Sequence, residues 1–398
     1  MTATTGDVVY YDPYDFDIDT DPYPVWRRLR DEAPLYYNDR YDFFALSRFA
    51  DVQRASVEWG TYSSARGSVL EVIKSGAPVA PGLFIFEDPP LHDAHRGVLS
   101  RVFTPRKMVA LEPRVRDLCA RALDPHVGGD GFDFVEVVAR EVPMRVIGML
   151  LGIPEGDLGS ISRDTQERHH LDQGRPPDVS DMSETSKMFA EYIEWREEHP
   201  SDDLMTQMLV TEFEDDTGAR RKLTRTEVLT YTTLLATAGN ETTQRLLGWT
   251  AKVLAEHPDQ RHEVAADRAL VPNAVEELLR FESPSPVQAR VATRDVELHG
   301  QTVPAGSAVL LLTASANRDE RQFPDADTFD VRRRIDHHVA FGYGLHFCLG
   351  AALARMEARI VLDEVLNRWT DWDVDHANAV LDHTSTTRGW ISLPIRTR

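Results

Sequence analysis

The chain has 398 residues, 42% hydrophobic and 27% charged, a composition that supports a sizeable core and excludes collagen-like, low-complexity and largely disordered chains. A formal charge of −21 argues against a nucleic-acid backbone or an anionic membrane as partner. Two cysteines, Cys119 and Cys348, are too few for a disulfide scaffold and fit a reducing cytoplasm; the acidic stretch Met1 to Asp21, without Lys or Arg, is the reverse of a secretory signal.

Along the chain, Asp21-Pro22-Tyr23-Pro24 leads into Val25, Trp26 and Leu29 at helical spacing, and strand patterns follow at Leu35 to Tyr37 and Phe43 to Leu46. Gly67 to Phe86 mixes Gly, Pro and apolar residues and reads as a long loop of the kind that carries binding function. Thr224 and Glu227 form a capping-box pattern, and helical sequence continues to Glu256 before His257-Pro258. At about 1.5 Å per residue that helix spans roughly 48 Å, so it must cross the centre of a compact protein. The uncharged stretch inside it, Val228 to Asn240, is 13 residues with four Thr, against the roughly 20 apolar residues a membrane span needs. A further helix is predicted over Pro272 to Phe281, and strands over Ala289 to Leu298 and Ser307 to Leu312. No internal repeat or Ser- or Gly-rich linker divides the sequence, so one domain over residues 1–398 is expected, mainly helical with a minor sheet-rich part.

The strongest chemical signal is Phe341-Gly342-Tyr343-Gly344-Leu345-His346-Phe347-Cys348-Leu349-Gly350, running into the helix formers Ala351 to Glu357. Three glycines allow close backbone approach, and a Cys before a helix start suits a thiolate, which ligates a metal or attacks an electrophile. A buried structural Cys in an ordinary loop is the plain alternative, made improbable by the combined spacing. A nucleophilic Cys with His346 as base ranks below metal ligation, since residues two apart in an extended turn point to opposite sides. In the long helix, Ala238-Gly239-Asn240-Glu241-Thr242 sets a Gly, an acid and a hydroxyl where apolar helix formers are usual. Thr242 reaches the carbonyl of Ala238, and an acid beside a hydroxyl is a proton-relay arrangement; a polar helix with Glu241 on its wet face is equally consistent. Glu277 with Arg280, His92 with Arg96, and Arg290 are each unremarkable alone.

These segments in this order resemble the cytochrome P450 family of heme-thiolate monooxygenases, and the likeness runs from Asp21-Pro22-Tyr23-Pro24 to Arg388-Gly389-Trp390. The resemblance implies the mainly α fold of that family, with the long central helix crossing over heme b. It makes Cys348 the axial ligand of the iron and sets Phe341, Gly342, Gly350, Ala238 and Gly239 against the heme. It assigns His92, Arg96, Arg290 and His346 to the propionates, and Glu241 and Thr242 to oxygen activation and proton delivery. Glu277 and Arg280, with Arg333 as third member, become a structural brace; the Phe323 to Phe329 segment departs from the family pattern by carrying Thr328 where an Arg is usual. Substrate contacts are expected from Val79, Leu83, Ile85, Leu234, Thr237, Ala238, Pro286, Val287, Gln288, Thr386 and Thr387. The implied reaction is hydroxylation of a lipophilic small molecule (a steroid, terpenoid, fatty acid or aromatic) by dioxygen. With no room for a flavin reductase, electrons come from a separate ferredoxin with a ferredoxin reductase. Basic residues between Ala94 and Arg121 (Arg96, Arg101, Arg106, Lys107, Arg114, Arg116, Arg121) and Arg332 to Arg334 would steer that acidic partner. The alternative is a non-catalytic heme-based ligand-binding or sensor protein. A cytoplasmic enzyme with neither membrane nor nucleic-acid partner is expected.

Overall fold

The capping box forms as its pattern predicts: Glu227 N–H donates to Thr224 Oγ1 at 3.2 Å, and Thr224 N–H donates to the Glu227 carboxylate at 2.7 Å. They start the 32-residue helix Arg225–Glu256, which stays helical through Gly239 and Thr242. The computed structural model describes residues 8–79, 82–101, 103, 105–158 and 184–398, of which 105–108 and 184–186 as backbone only. Among them no helix is long and apolar enough to cross a membrane.

The central helix is buried because other helices cover it on several sides. Its second half, with Leu246, Leu247, Trp249, Val253 and Leu254, shares a core with Val361, Leu362 and Val365 of the helix Ala351–Arg368 and with Val275 and Leu278 of the helix Val271–Phe281. Its first half, with Val228, Tyr231 and Ala236, packs in a second cluster with Ile147, Phe189 and Met205. A helix at the centre buries residues on more than one side, and here these include polar ones such as Thr232, Asn240, Gln244 and Thr250.

The five-stranded sheet runs in the order Leu35–Asn38, Phe43–Leu46, Ala308–Leu311, Gln288–Ala292, Tyr62–Ser63. Phe43–Leu46 pairs in parallel with Ala308–Leu311, which pairs antiparallel with Gln288–Ala292. Phe43, Ala289, Val291 and Leu310 face one core cluster, while Phe44, Ala292, Val309 and Leu311 face another. Both faces of this sheet are covered, which is why apolar alternation vanishes at Ala308–Leu311.

Two sequence expectations change. Gly67 to Phe86 is not all loop: Leu70 and Ile73 bury one side of a short helix, Leu70–Ser75, which Gly76 closes at φ +63°, and Phe84–Phe86 forms a 3₁₀ turn. Ala289 to Leu298 is two strands, Gln288–Ala292 and Val296–Leu298, because the second turns away to pair with Gln301–Val303.

Glu277 and Arg280 are fully buried and joined by two 2.7 Å hydrogen bonds. Arg280 also donates to the carbonyls of Asn317, Ala326 and Thr328, and Arg333 reaches Glu277 at 3.2 Å and the carbonyls of Asp325 and Thr328. Thr328 therefore serves through its carbonyl, so the lost Arg at that position leaves the brace intact. This brace fixes the segment that leads into the cysteine loop.

Candidate active site

Cys348 sits where a tight loop meets a helix. Its N–H donates to the carbonyl of Phe341 at 2.9 Å, Gly342 and Gly344 adopt φ +68° and +72°, and Gly344–His346 makes a 3₁₀ turn before Ala351–Arg368. A Cβ on Gly344 would stand 2.8 Å from the carbonyl oxygen of Ser56, so both its φ and its neighbour demand glycine. The amides of Gly350 and Ala351 donate to the sulfur, and Arg96 and Arg355 lie near enough to favour its negative form. Burial outweighs them and pushes the thiol above its ordinary pKa. Cys348 is exposed to the space of the cavity it lines, and a bound cation there is what would hold the sulfur as thiolate.

That cavity has a volume of about 250 Å³, and its surface is mostly apolar. The cysteine side contributes Phe341, Leu349, Leu353 and Ala354; the central helix contributes Leu234, Ala238, Gly239, Thr242 and Leu246. A Cβ on Gly239 would meet the end of the Ile147 side chain at 3.3 Å, so Ile147 would have to shift by a few tenths of an ångström to admit it. Thr242 Oγ1 donates to the carbonyl of Ala238 at 2.8 Å, as its spacing predicts, and Thr243 does the same to Gly239 at 3.1 Å.

Basic groups from three parts of the chain converge beside the cavity. His92 on the helix Leu91–Ser100 and His346 stand edge to face with ring centroids 4.7 Å apart. Arg96 donates to the carbonyl of Phe347. Arg290 is buried with only Ala289 O and Gln288 Oε1 as acceptors, and burial pulls its pKa down to about 10. His346 is pushed down to about 3 by burial first, then by Arg290, His92 and Arg96. Both of its ring nitrogens, and Nε2 of His92, are buried without hydrogen-bond partners. Among the described residues Arg96, Arg290 and His346 form no ion pair. Such a cluster leaves donors unsatisfied until an anionic group arrives between them.

The same geometry disposes of the nucleophilic-cysteine alternative, because neither nitrogen of His346 bonds Cys348. It also redistributes several expected residues. Glu241 does not line the cavity: its carboxylate accepts from Thr387 Oγ1 at 2.6 Å and meets Arg245 at 3.5 Å. Thr387 is correspondingly buried against the helix. Ile85, Leu234, Ala238 and Gln288 line the cavity, whereas Val79, Leu83, Thr237, Pro286, Val287, Thr386 and Thr387 do not. Phe84, within the expected binding loop, lines it too, as do Phe103, Leu279 and Ser285, which carried no sequence signal because each is an ordinary core or turn residue until the fold assembles.

The expected basic patch also shrinks. Arg116 is bound to Glu112, Asp363 and Glu364, Arg121 to Asp117 and Glu155, Arg332 to Glu263 and Arg333 to Glu277. Arg101 donates to the carbonyl of Glu212, and the side chains of Arg106 and Lys107 lie outside the described residues. Arg114, Arg334 and, on the helix adjoining Arg114, Arg359 remain exposed.

A cysteine under amide donors, a deep apolar cavity over it and unpaired basic groups at its edge define a heme-thiolate protein. The cytochrome P450 family model matches residues 179–397. Cytochrome P450 130 of Mycobacterium tuberculosis is 36% identical over 387 residues, 94% of this chain and 95% of that one. Erythromycin C-12 hydroxylase of Saccharopolyspora erythraea is 35% identical over 365 residues, 89% of each. The structure of cytochrome P450 CYP109Q5 from Chondromyces apiculatus superposes with TM-score 0.86 at 33% identity, covering 97% of this chain and 98% of that one. The chain belongs to the cytochrome P450 family: it is a P450 monooxygenase, and its cofactor is heme b.

Proposed function

We propose that the protein, as a single heme domain over residues 1–398 in the cytoplasm, hydroxylates a lipophilic small molecule with electrons from a separate ferredoxin and its reductase. The observation that carries this reading is that Cys348 and Thr242 open on one largely apolar cavity. That surface favours a steroid, terpenoid, fatty acid or aromatic over a polar metabolite. A relative named as a hydroxylase supports the reaction type.

Cys348 is the residue that would ligate the heme iron, with its donor strength set by the Gly350 and Ala351 amides. His92, Arg96, Arg290 and His346 would hold the two propionates, which fits the unpartnered ring nitrogens of His92 and His346. Ala238, Gly239, Phe341 and Gly350 line the space for the ring, and Gly342 turns the loop behind it. When bound, the heme supplies the activation of dioxygen and oxidation of an unactivated C–H bond.

The remaining work falls to the chain. The Thr242 hydroxyl parks its one proton on the Ala238 carbonyl and keeps its oxygen lone pairs toward the cavity, so it accepts a hydrogen bond there and donates into the cavity only by releasing that carbonyl. Glu241 must leave Thr387 and Arg245 to recharge that hydroxyl, so its carboxylate acts as a proton carrier from the buried side of the helix. Ile85, Leu234 and Gln288 orient the substrate, and Leu246 and Phe103 exclude water. Arg114, Arg334 and Arg359 remain to attract an acidic ferredoxin.

The test is the absorption difference spectrum of the dithionite-reduced protein with and without carbon monoxide. A strongly red-shifted Soret band that Cys348→Ser abolishes is expected; a spectrum indifferent to Cys348 overturns the assignment. Consumption of NAD(P)H with ferredoxin, reductase and substrate separates the hydroxylase from a heme sensor.

A further inference from the structure

Phe84 and Ile85 reach the cavity from a turn that closes on itself, where the amide of Gly82 donates to Glu87 Oε1 at 3.0 Å. That turn is seated on the start of the central helix: Gly82 has φ +87°, and a Cβ there would stand 3.1 Å from Cγ of Glu227. Glu87 is buried, and its second oxygen, Oε2, lies 2.8 Å from Nδ1 of His95. Neither Glu87 nor His95 lines the cavity.

His95 shares the helix Leu91–Ser100 with His92 and Arg96, yet its ring packs elsewhere, with centroids 6.0 Å from Phe213 and 6.1 Å from Tyr231. It is 3% exposed, and its Nε2 has no hydrogen-bond partner but stands 3.5 Å from Oε1 of Glu227, a distance at which a charged imidazole attracts a carboxylate. Glu227 caps the central helix and takes two 2.8 Å bonds from Arg221, whose guanidinium covers Phe213 at 4.7 Å. The Tyr231 hydroxyl is also buried without a partner, and after burial itself the charges of Glu87 and Glu227 push the phenol up. One imidazole therefore lies between a carboxylate of the turn and a carboxylate of the central helix. With a nitrogen on each side it can engage both, and in a buried place such a link is stronger than in water.

We propose that His95 is a positioning residue: by bridging Glu87 and Glu227 it sets the Gly82–Glu87 turn against the central helix and so fixes Phe84 and Ile85 as the wall that a large ligand meets. This rests on the heme-thiolate reading above and adds to it a determinant of ligand fit that touches neither ligand nor heme. With the bridge cut, the turn keeps its own closure through Gly82 and Glu87 but loses its hold on the central helix. Ligands that fill the cavity then lose a wall, while a ligand that needs only the iron keeps its place.

The experiment uses the heme-loaded protein and a series of 1-alkylimidazoles from methyl to dodecyl, whose affinity is read from the Soret shift and, independently, by calorimetry. The heterocycle seeks the iron, and the growing chain reports contact with the cavity wall. The dodecyl ligand should bind wild type about a hundred-fold or more tightly than the methyl one. His95→Leu should cut that ratio about ten-fold and leave the methyl ligand within about two-fold, while His95→Gln, which keeps a donor for Glu87, should cut it about three-fold. Glu87→Gln should lower the ratio as well, and together with His95→Leu no further than His95→Leu alone. Should His95→Leu fail to hold heme, the same ratio in His95→Gln and Glu87→Gln decides. A wild type without chain-length preference, a ratio unmoved by these substitutions, equal weakening of short and long ligands, or additive effects of the two substitutions overturns the inference alone. An absent carbon monoxide band overturns the heme-thiolate reading, and this inference with it, before any ligand is added.

Discussion

Replacing Glu277 by Gln removes one charge from a pair with no exposed surface. The carboxylate now takes both 2.7 Å bonds from Arg280, one from Arg333 at 3.2 Å and one from the amide of Asp330 at 3.0 Å. Gln keeps one acceptor oxygen and turns an NH2 toward the guanidinium, which is left buried without its counter-charge. Such half-broken buried pairs cost about 3–5 kcal/mol. With unfolding entropy near 2.1 cal/mol/K per residue, a chain of this length loses roughly 4–6 °C in Tm, and heme retention should fall because the brace holds the approach to Cys348. Thermal melts by circular dichroism and the heme-to-protein absorbance ratio measure both. A Glu277→Met, Arg280→Met double variant should not recover, because the carbonyls of Asn317 and Ala326 lose their donor at about 1–3 kcal/mol each. A single variant melting within 1 °C of wild type, or a double variant as stable as wild type, refutes this reasoning.

Thr242→Ala should keep consuming electrons while forming less product per electron pair, and Thr242→Ser should keep most of the coupling; product and NADH counted together decide it. Glu357 is buried with Oε2 unpartnered, and burial raises its pKa from 4.5 to about 8. Its native form therefore holds a proton the unfolded chain releases, so stability is full below pH 4.5 and falls until about pH 8. Glu357→Gln should gain on wild type across that window, by no more than about 5 kcal/mol, and a gain independent of pH would count against it. Thr224→Ala should cost about 1 kcal/mol in denaturant unfolding by opening the cap of the central helix. Arg114→Glu with Arg359→Glu should slow ferredoxin reduction at low salt and matter little at high salt; an unaltered stopped-flow rate removes this surface from docking.

Much of the site was legible because its parts are local. Glycines that permit a tight loop, a Cys one turn before a helix, a capping box and a Thr four residues after its acceptor carbonyl are all short-range patterns, and each took its expected form. The central position of the long helix followed from length alone. The short helix at Leu70–Ser75 escaped because its two anchoring apolar residues are too few to show periodicity among Gly and Pro.

What the sequence by itself determined is the cysteine loop, the polar notch of the central helix and the Glu277–Arg280 pair, whose chemistry lies within a few residues; the carbonyls and Arg333 that complete the brace stand 37 to 56 residues away. Only the tertiary structure decided which side chains meet. It turned Glu241 toward Thr387 and Arg245, neutralised Arg116 and Arg121 with carboxylates from elsewhere in the fold, and drew Val287 and Thr386 off the main cavity toward Glu71. A charge is functional or structural according to its nearest opposite charge, and in this chain that partner often lies more than a hundred residues away.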